Sequence, residues 1–150
     1  MIEGVEQIQL SVHEDDRGYL FEAFRSDQPY YRKFGQVYVV TNPMPRIVRA
    51  YHKHDVLWDY FTIVSGRAKF VLVDDRKESS TYEEINEFIS SDRKPTLLIV
   101  PPGVYHGWMS LSKNTVLLST ASEVYNKENP DEYRIPWDTY GKDKWEVKFK

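Results

Sequence analysis

Two short histidine clusters constrain this chain more than any other feature in it. In RIVRAYHKHDVLWDYFTIVSG, residues 46–66, His52 and His54 stand two apart in a segment that reads as a strand. Successive strand side chains point to opposite faces, so positions two apart share one. Asp59 follows five residues after His54, and Gly66 comes seven residues later. A second cluster, PPGVYHG, supplies Pro101, Gly103 and His106. Imidazoles and a carboxylate on short strands suit proton transfer or metal binding.

The surrounding pattern is that of many short strands. Gln36–Asn42 is rich in β-branched and aromatic residues, and Pro43 and Pro45 end it. Residues 47–54 and 59–64 read as the next two strands, followed by Arg67–Asp74 with Ala68, Phe70 and Leu72 on one face. Residues 5–13 alternate weakly and read as one edge strand, then a turn at 15–18 and a strand over 19–24. Residues 26–34 are expected as loop or short helix, and 74–81 as a charged turn. Residues 82–89 suit a strand, with a short helix as the competing reading. Thr96–Val100 is an apolar run, and 107–111 with Thr115–Ala121 reads as a hairpin around 112–114. Regular turn signals between short strands indicate an all-β sandwich or barrel.

A chain of 150 residues suits one domain, here 1–150 with an N-terminal strand arm and an extended C-terminal tail. Aromatic residues at 15% favour strands and stacking pockets over helical bundles. The net charge of −3, with both signs interspersed, lacks the basic excess of a nucleic-acid binder. Cysteine is absent, which excludes disulfides and thiolate metal sites and fits a reducing compartment. The start MIEGVEQIQL holds acids and no long apolar run, so neither a signal peptide nor a membrane span is expected. A cytoplasmic protein is the expectation.

The order H-x-H, four residues, an acid, six residues, Gly, and later P-x-G-x-x-H resembles the two-part motif of cupins. The resemblance implies a double-stranded β-helix, or jelly-roll, barrel with these residues at one mouth. The chain further resembles the dTDP-4-dehydrorhamnose 3,5-epimerases. DDRGYLFEAF is similar to that family's D-x-R-G-x-F-x-E-x-F, and FGQ to its F-x-Q. VRAYHKH is similar to L-R-G-L-H-x-Q, VDDRKESSTY to V-D-x-R-x-x-S-P-T-[YF], PPGVYHGWMSLS to P-x-G-F-A-H-G-F-x-x-L-S, and RIPWD to I-x-W-x-D.

The resemblance implies an epimerase or isomerase of a thymidine-diphosphate 4-keto-6-deoxy sugar, acting in polysaccharide synthesis. It assigns His52 as catalytic base, His106 to the barrel mouth, and Tyr125 as a possible acid over the sugar ring. Arg17 and Arg49 would bind the diphosphate; Glu22, Gln36 and His54 would line the substrate site. No cofactor is implied, and a homodimer is, with N-terminal strands reaching the partner's pocket.

The chain departs from the family pattern at several places. Asp59 stands where the family has a lysine, Ser119 where it has a proton-donating tyrosine, and His54 where a glutamine is usual. The family's tail aspartate, which pairs with the base, has no counterpart expected within the 150 residues. These departures support two other readings. In one, His52, His54, Asp59 and His106 hold a divalent metal (Zn, Fe, Mn or Ni) for an isomerase or dioxygenase. In the other, the pocket binds a nucleotide sugar without turning it over. His52 cannot be ligand and base at once, so the base and four-ligand schemes exclude each other.

Overall fold

The computed structural model describes residues 1–147 and builds them almost wholly from strands. In chain order these are β1 (Glu6–Gln9), β2 (Val12–Asp15), β3 (Gly18–Phe21), β4 (Gln36–Asn42), β5 (Val48–Lys53) and β6 (Asp59–Ser65). Then follow β7 (Arg67–Asp74), β8 (Ile85–Ser91), β9 (Thr96–Val100), β10 (Val104–Ser110), β11 (Thr115–Ala121) and β12 (Tyr133–Arg134). A 3-10 turn over Lys142–Trp145 follows. One five-stranded sheet has the order β1-β9-β6-β11-β4, and a second has β12-β5-β10-β7-β8. Strands adjacent in the chain repeatedly fall in opposite sheets, which is the jelly-roll arrangement of a cupin barrel.

Apolar side chains separate into three layers because each sheet buries both faces. Phe61, Ile63, Phe70, Leu72, Leu98 and Leu117 fill the space between the sheets. Tyr51, Val71, Val73, Met109 and Trp145 form a second cluster on the outer face of the β5–β10–β7 sheet. Tyr30, Tyr60, Leu97 and Ile99 form a third, outside the other sheet, where Phe24 packs on Tyr60 at 4.8 Å between ring centroids. The tail thus covers one sheet, and residues 24–30 the other. This explains why β7 is buried along all but its first residue, although its sequence alternates. Lys69, on its outer face, is only 5% exposed and pairs with Glu87 at 2.9 Å.

Several expectations from the sequence are corrected. The strand expected over 5–13 is two: β1 pairs with β9, while β2 turns back on β3 as a separate hairpin. The amide of Leu10 makes its bond to the Pro95 carbonyl, and Pro95 has no N–H with which to extend the ladder. The segments expected as a hairpin around 112–114 do not pair. Both edges of β10 are occupied, by β5 and β7, and both edges of β11, by β4 and β6. The chain crosses between sheets there. The competing helix over 82–89 does not form; Ile85–Ser91 pairs with β7.

Two glycines permit close approaches that a side chain would block. Gly66 turns β6 into β7 at φ 79°, and a Cβ there would sit 2.5 Å from the Ser112 hydroxyl. At Gly107 a Cβ would come within 2.2 Å of the Ala50 Cβ, so only glycine lets β10 approach β5 beside His106.

Candidate active site

The two sheets part at one end around a cavity of about 450 Å³, within the usual range for a small-molecule site. β5 delivers two of its walls. Tyr51 turns outward under Trp145, so the alternation turns His52 and His54 inward, and both line the cavity. His106 stands opposite His52 in the β10–β5 register, with ring centroids 6.2 Å apart, and lies 5.5 Å from His54.

Asp59 opens β6 and shares the inward face of Phe61 and Ile63. It is 2% exposed. Its Oδ2 lies 3.3 Å from His54 Nε2 and 3.4 Å from His106 Nε2. Both imidazoles have their other nitrogen committed: His106 Nδ1–H donates to the Val104 carbonyl at 3.1 Å, and His54 Nδ1–H to the Asp131 carbonyl. A carbonyl only accepts, so each Nδ1 carries its hydrogen.

The charges follow from this burial. Loss of water pushes the Asp59 carboxyl up to about 7, with Asp131 and Glu132 adding to the rise and His54 opposing it. Burial, then the neighbouring His54 and His52, pushes His106 down to about 3. His52 is also lowered, first by burial and then by the Arg134 guanidinium. His52 and His106 are therefore neutral near pH 7.

The structure gathers His52, His54, Asp59, His106, Gln36, Arg49 and Tyr125 at this one end. Arg49 is held by its Nε bond to Asn42 Oδ1 at 2.8 Å. Gln36 Oε1 accepts the Tyr125 backbone N–H at 3.1 Å, which anchors the start of the tail at the rim. Within one chain, Arg17 and Glu22 stand elsewhere. Arg17 sits on the β2–β3 turn, paired with Asp15 and largely exposed. Glu22 accepts from Arg25 at 2.8 Å and borders a smaller cleft with Gln9 and Leu10. Neither residue lines the cavity. The metal-capable donors that converge among the described residues are His54, Asp59 and His106, so His52 stands outside the four-ligand set expected from sequence.

Two tail residues reach the site without a signal in the sequence. Asp131 grips the turn after β5, accepting the amides of Asp55, Val56 and Leu57 at 2.7, 2.9 and 3.0 Å. Arg134 pairs with His52 in the β12–β5 register and lines the cavity. RIPWD marked the segment, but no periodicity marks either residue. Tyr38 also lines the cavity, across from Ser119 in the β4–β11 pair.

Comparison with known proteins identifies the family and agrees with the fold. The family model described as dTDP-4-dehydrorhamnose 3,5-epimerase matches residues 1–146. The chain is 36% identical over 140 residues to the spore coat polysaccharide biosynthesis protein SpsL of Bacillus subtilis, covering 92% of this chain and 91% of that protein. It is 32% identical to a probable low-salt glycan biosynthesis epimerase of Haloferax volcanii, covering 91% and 89%. A dTDP sugar isomerase structure from Desulfovibrio desulfuricans superposes with a TM-score of 0.85 at 23% identity, over 93% of this chain and 88% of that one, a likeness of fold.

Proposed function

The chain belongs to the dTDP-4-dehydrorhamnose 3,5-epimerase family and is a sugar-nucleotide epimerase of the isomerase class, and from that premise we propose that His52 is its catalytic base. The substrate in this reading is a thymidine-diphosphate 4-keto-6-deoxy sugar. The supporting observation is a neutral imidazole, His52, facing a cavity whose mouth carries two guanidinium groups, Arg49 and Arg134.

The 4-keto group acidifies the hydrogens on the adjacent carbons. His52 takes one as a proton, the C–H electron pair moves into an enolate, and a phenol returns a proton from the opposite face. Burial and Arg134 lower the affinity of His52 for a proton, so the free base is the resting form. Tyr125 at the rim is the proposed acid; Tyr38 is the other phenol on the cavity wall. Arg49 and Arg134 suit the diphosphate, because a guanidinium fork matches phosphate oxygens.

A homodimer accounts for Arg17 and Glu22. Tyr19 and Leu20 on the β2–β3 hairpin are 54% and 60% exposed, as are Val37 and Val39 on the edge strand β4 at 51% and 59%. Exposed apolar side chains on an arm and on an edge strand suit a contact with a second copy. In that assembly the arm carries Arg17 and Glu22 to the partner's cavity. Light scattering should then give twice the chain's 17.8 kDa. No helix among the described residues is long and apolar enough to cross a membrane; the cysteine-free chain suits the cytoplasm.

Calorimetry with thymidine diphosphate and proton NMR of the 4-keto-6-deoxyglucose nucleotide test the reading. Saturable binding and new epimer signals are expected. No binding and no change in the sugar spectrum would overturn it.

A further inference from the structure

We propose that Tyr38 is a further catalytic residue, whose phenol donates a hydrogen bond to the keto oxygen and holds the negative charge that develops there. The role rests on the epimerase reading and completes it. When His52 removes a proton, the carbonyl electrons move onto oxygen, so the wall facing that oxygen needs a donor.

The strand brings Tyr38 to the required wall. Gln36, Tyr38 and Val40 alternate along β4 and all line the cavity, while Val37 and Val39 between them are exposed. The bond from Arg49 Nε to Asn42 Oδ1, at 2.8 Å, ties β5 to β4. Tyr38 lies four residues before Asn42, and His52 three residues after Arg49. At about 3.3 Å per residue, the phenol and the imidazole lie about 13 Å and about 10 Å along their strands from that tie. They therefore stand at similar levels on two walls of one cavity.

A small neighbour makes room for the phenol. Ser119 is directly opposite Tyr38 in the β4–β11 register, so the two side chains share a face. Ser119 is fully buried, and a larger residue there would compete with the Tyr38 ring for the same space. Tyr38 shows 42% of its surface at the sheet edge, yet its hydroxyl end reaches inward. Burial, then the Asp59 carboxylate, raises the phenol above its usual value, so it keeps its hydrogen near pH 7. Ser119 Oγ is the neighbour that opposes this rise, although it makes no hydrogen bond of ordinary length to any described residue.

The other groups on these walls are committed elsewhere. His54 and His106 each spend Nδ1–H on a backbone carbonyl, which leaves the neutral ring's Nε2 an acceptor. Arg49 and Arg134 suit the diphosphate, and Gln36 Oε1 holds the Tyr125 amide nearer the rim. In the step itself, His52 holds the proton taken from carbon and the C–H pair becomes the new C=C bond. The former carbonyl pair becomes the charge on oxygen, against which Tyr38 keeps its O–H. Tyr125 supplies the proton that returns to carbon.

Tyr38→Phe removes the hydroxyl and keeps the ring. Deuterium wash-in from D2O beside the keto group of thymidine-diphosphate 4-keto-6-deoxyglucose reports proton abstraction alone, whereas new epimer signals also need the returning acid. Wash-in by Tyr38→Phe should fall about 10²–10³-fold, the usual loss for one oxyanion donor. Its affinity for thymidine diphosphate by calorimetry and its circular dichroism should be unchanged. Tyr125→Phe should instead retain wash-in and lose epimer formation. Equal wash-in by the wild type and a folded Tyr38→Phe would overturn this role and leave the epimerase reading standing. Loss of thymidine diphosphate binding by Tyr38→Phe would overturn it too, marking Tyr38 as a nucleotide contact. Absence of wash-in by the wild type would overturn both.

Discussion

Asp74 and Asp59 are equally buried, at 1% and 2% exposure, and sit at the far end of β7 and the near end of β6. Their surroundings are opposite. The Asp74 carboxylate accepts from the Arg76 amide and guanidinium at 2.7–3.0 Å, from Ser79 Oγ at 2.7 Å and from Thr81 Oγ1 at 2.6 Å. Burial alone would raise its pKa, but these donors hold it well below the usual carboxylate range. Asp59 faces two imidazole nitrogens at longer range, and burial pushes it up to about 7. One carboxylate is satisfied by its own loop; the other lies 3.3 and 3.4 Å from two imidazole nitrogens. Burial of an acid therefore says little until its donors are named.

The contrast also recasts the segment VDDRKESSTY. Its likeness to the family is marked, and its position suggested a solvated turn. In the structure it is a clasp: Asp74 gathers the loop between β7 and β8, and Arg76 reaches on to the Glu3 carbonyl at 2.7 Å. The shared letters there serve architecture, and the cavity chemistry lies on β5, β6 and β10.

The largest stability effect should come from Asp74→Ala. It strands a part-buried guanidinium and two hydroxyls, and urea unfolding should show a loss of about 3–5 kcal/mol. A loss as small as that of an exposed site would break the contrast. Next comes acid sensitivity. The folded pKa of Asp74 lies below its unfolded value of about 3.9, so its contribution is complete above that pH and is lost as pH falls toward the folded value. Wild-type stability should drop below about pH 4, and Asp74→Asn should drop less steeply over the same range. The smallest effect is expected from Asp59→Asn, within about 1 kcal/mol of wild type, because it removes a costly buried charge. A loss matching that of Asp74→Ala would show Asp59 to be architectural too.

Much of this contrast was hidden at the level of sequence, for identifiable reasons. The bounds of β4, β7, β9 and β11 were legible because β-branched runs end at proline, glycine or charged turns. Pairing was not: β10 and β11 look like a hairpin, and nothing local reveals that each already has two partners. The burial of both faces of β7 depends on Trp145 and Tyr140, more than sixty residues away. At the site, His52, His54, Asp59 and His106 were legible from their spacing and alternation. Arg134 and Asp131 were not, since an aperiodic tail acquires its role only by docking against β5.

The proposed chemistry turns on one proton transfer. Wash-in of deuterium from D2O into the carbons beside the keto group of thymidine-diphosphate 4-keto-6-deoxyglucose, followed by NMR, measures it directly. Wild-type protein should incorporate deuterium at one or both positions, and His52→Ala should do so slower by about 10²–10⁴-fold while still binding thymidine diphosphate. Equal wash-in by the folded variant would contradict His52 as the base.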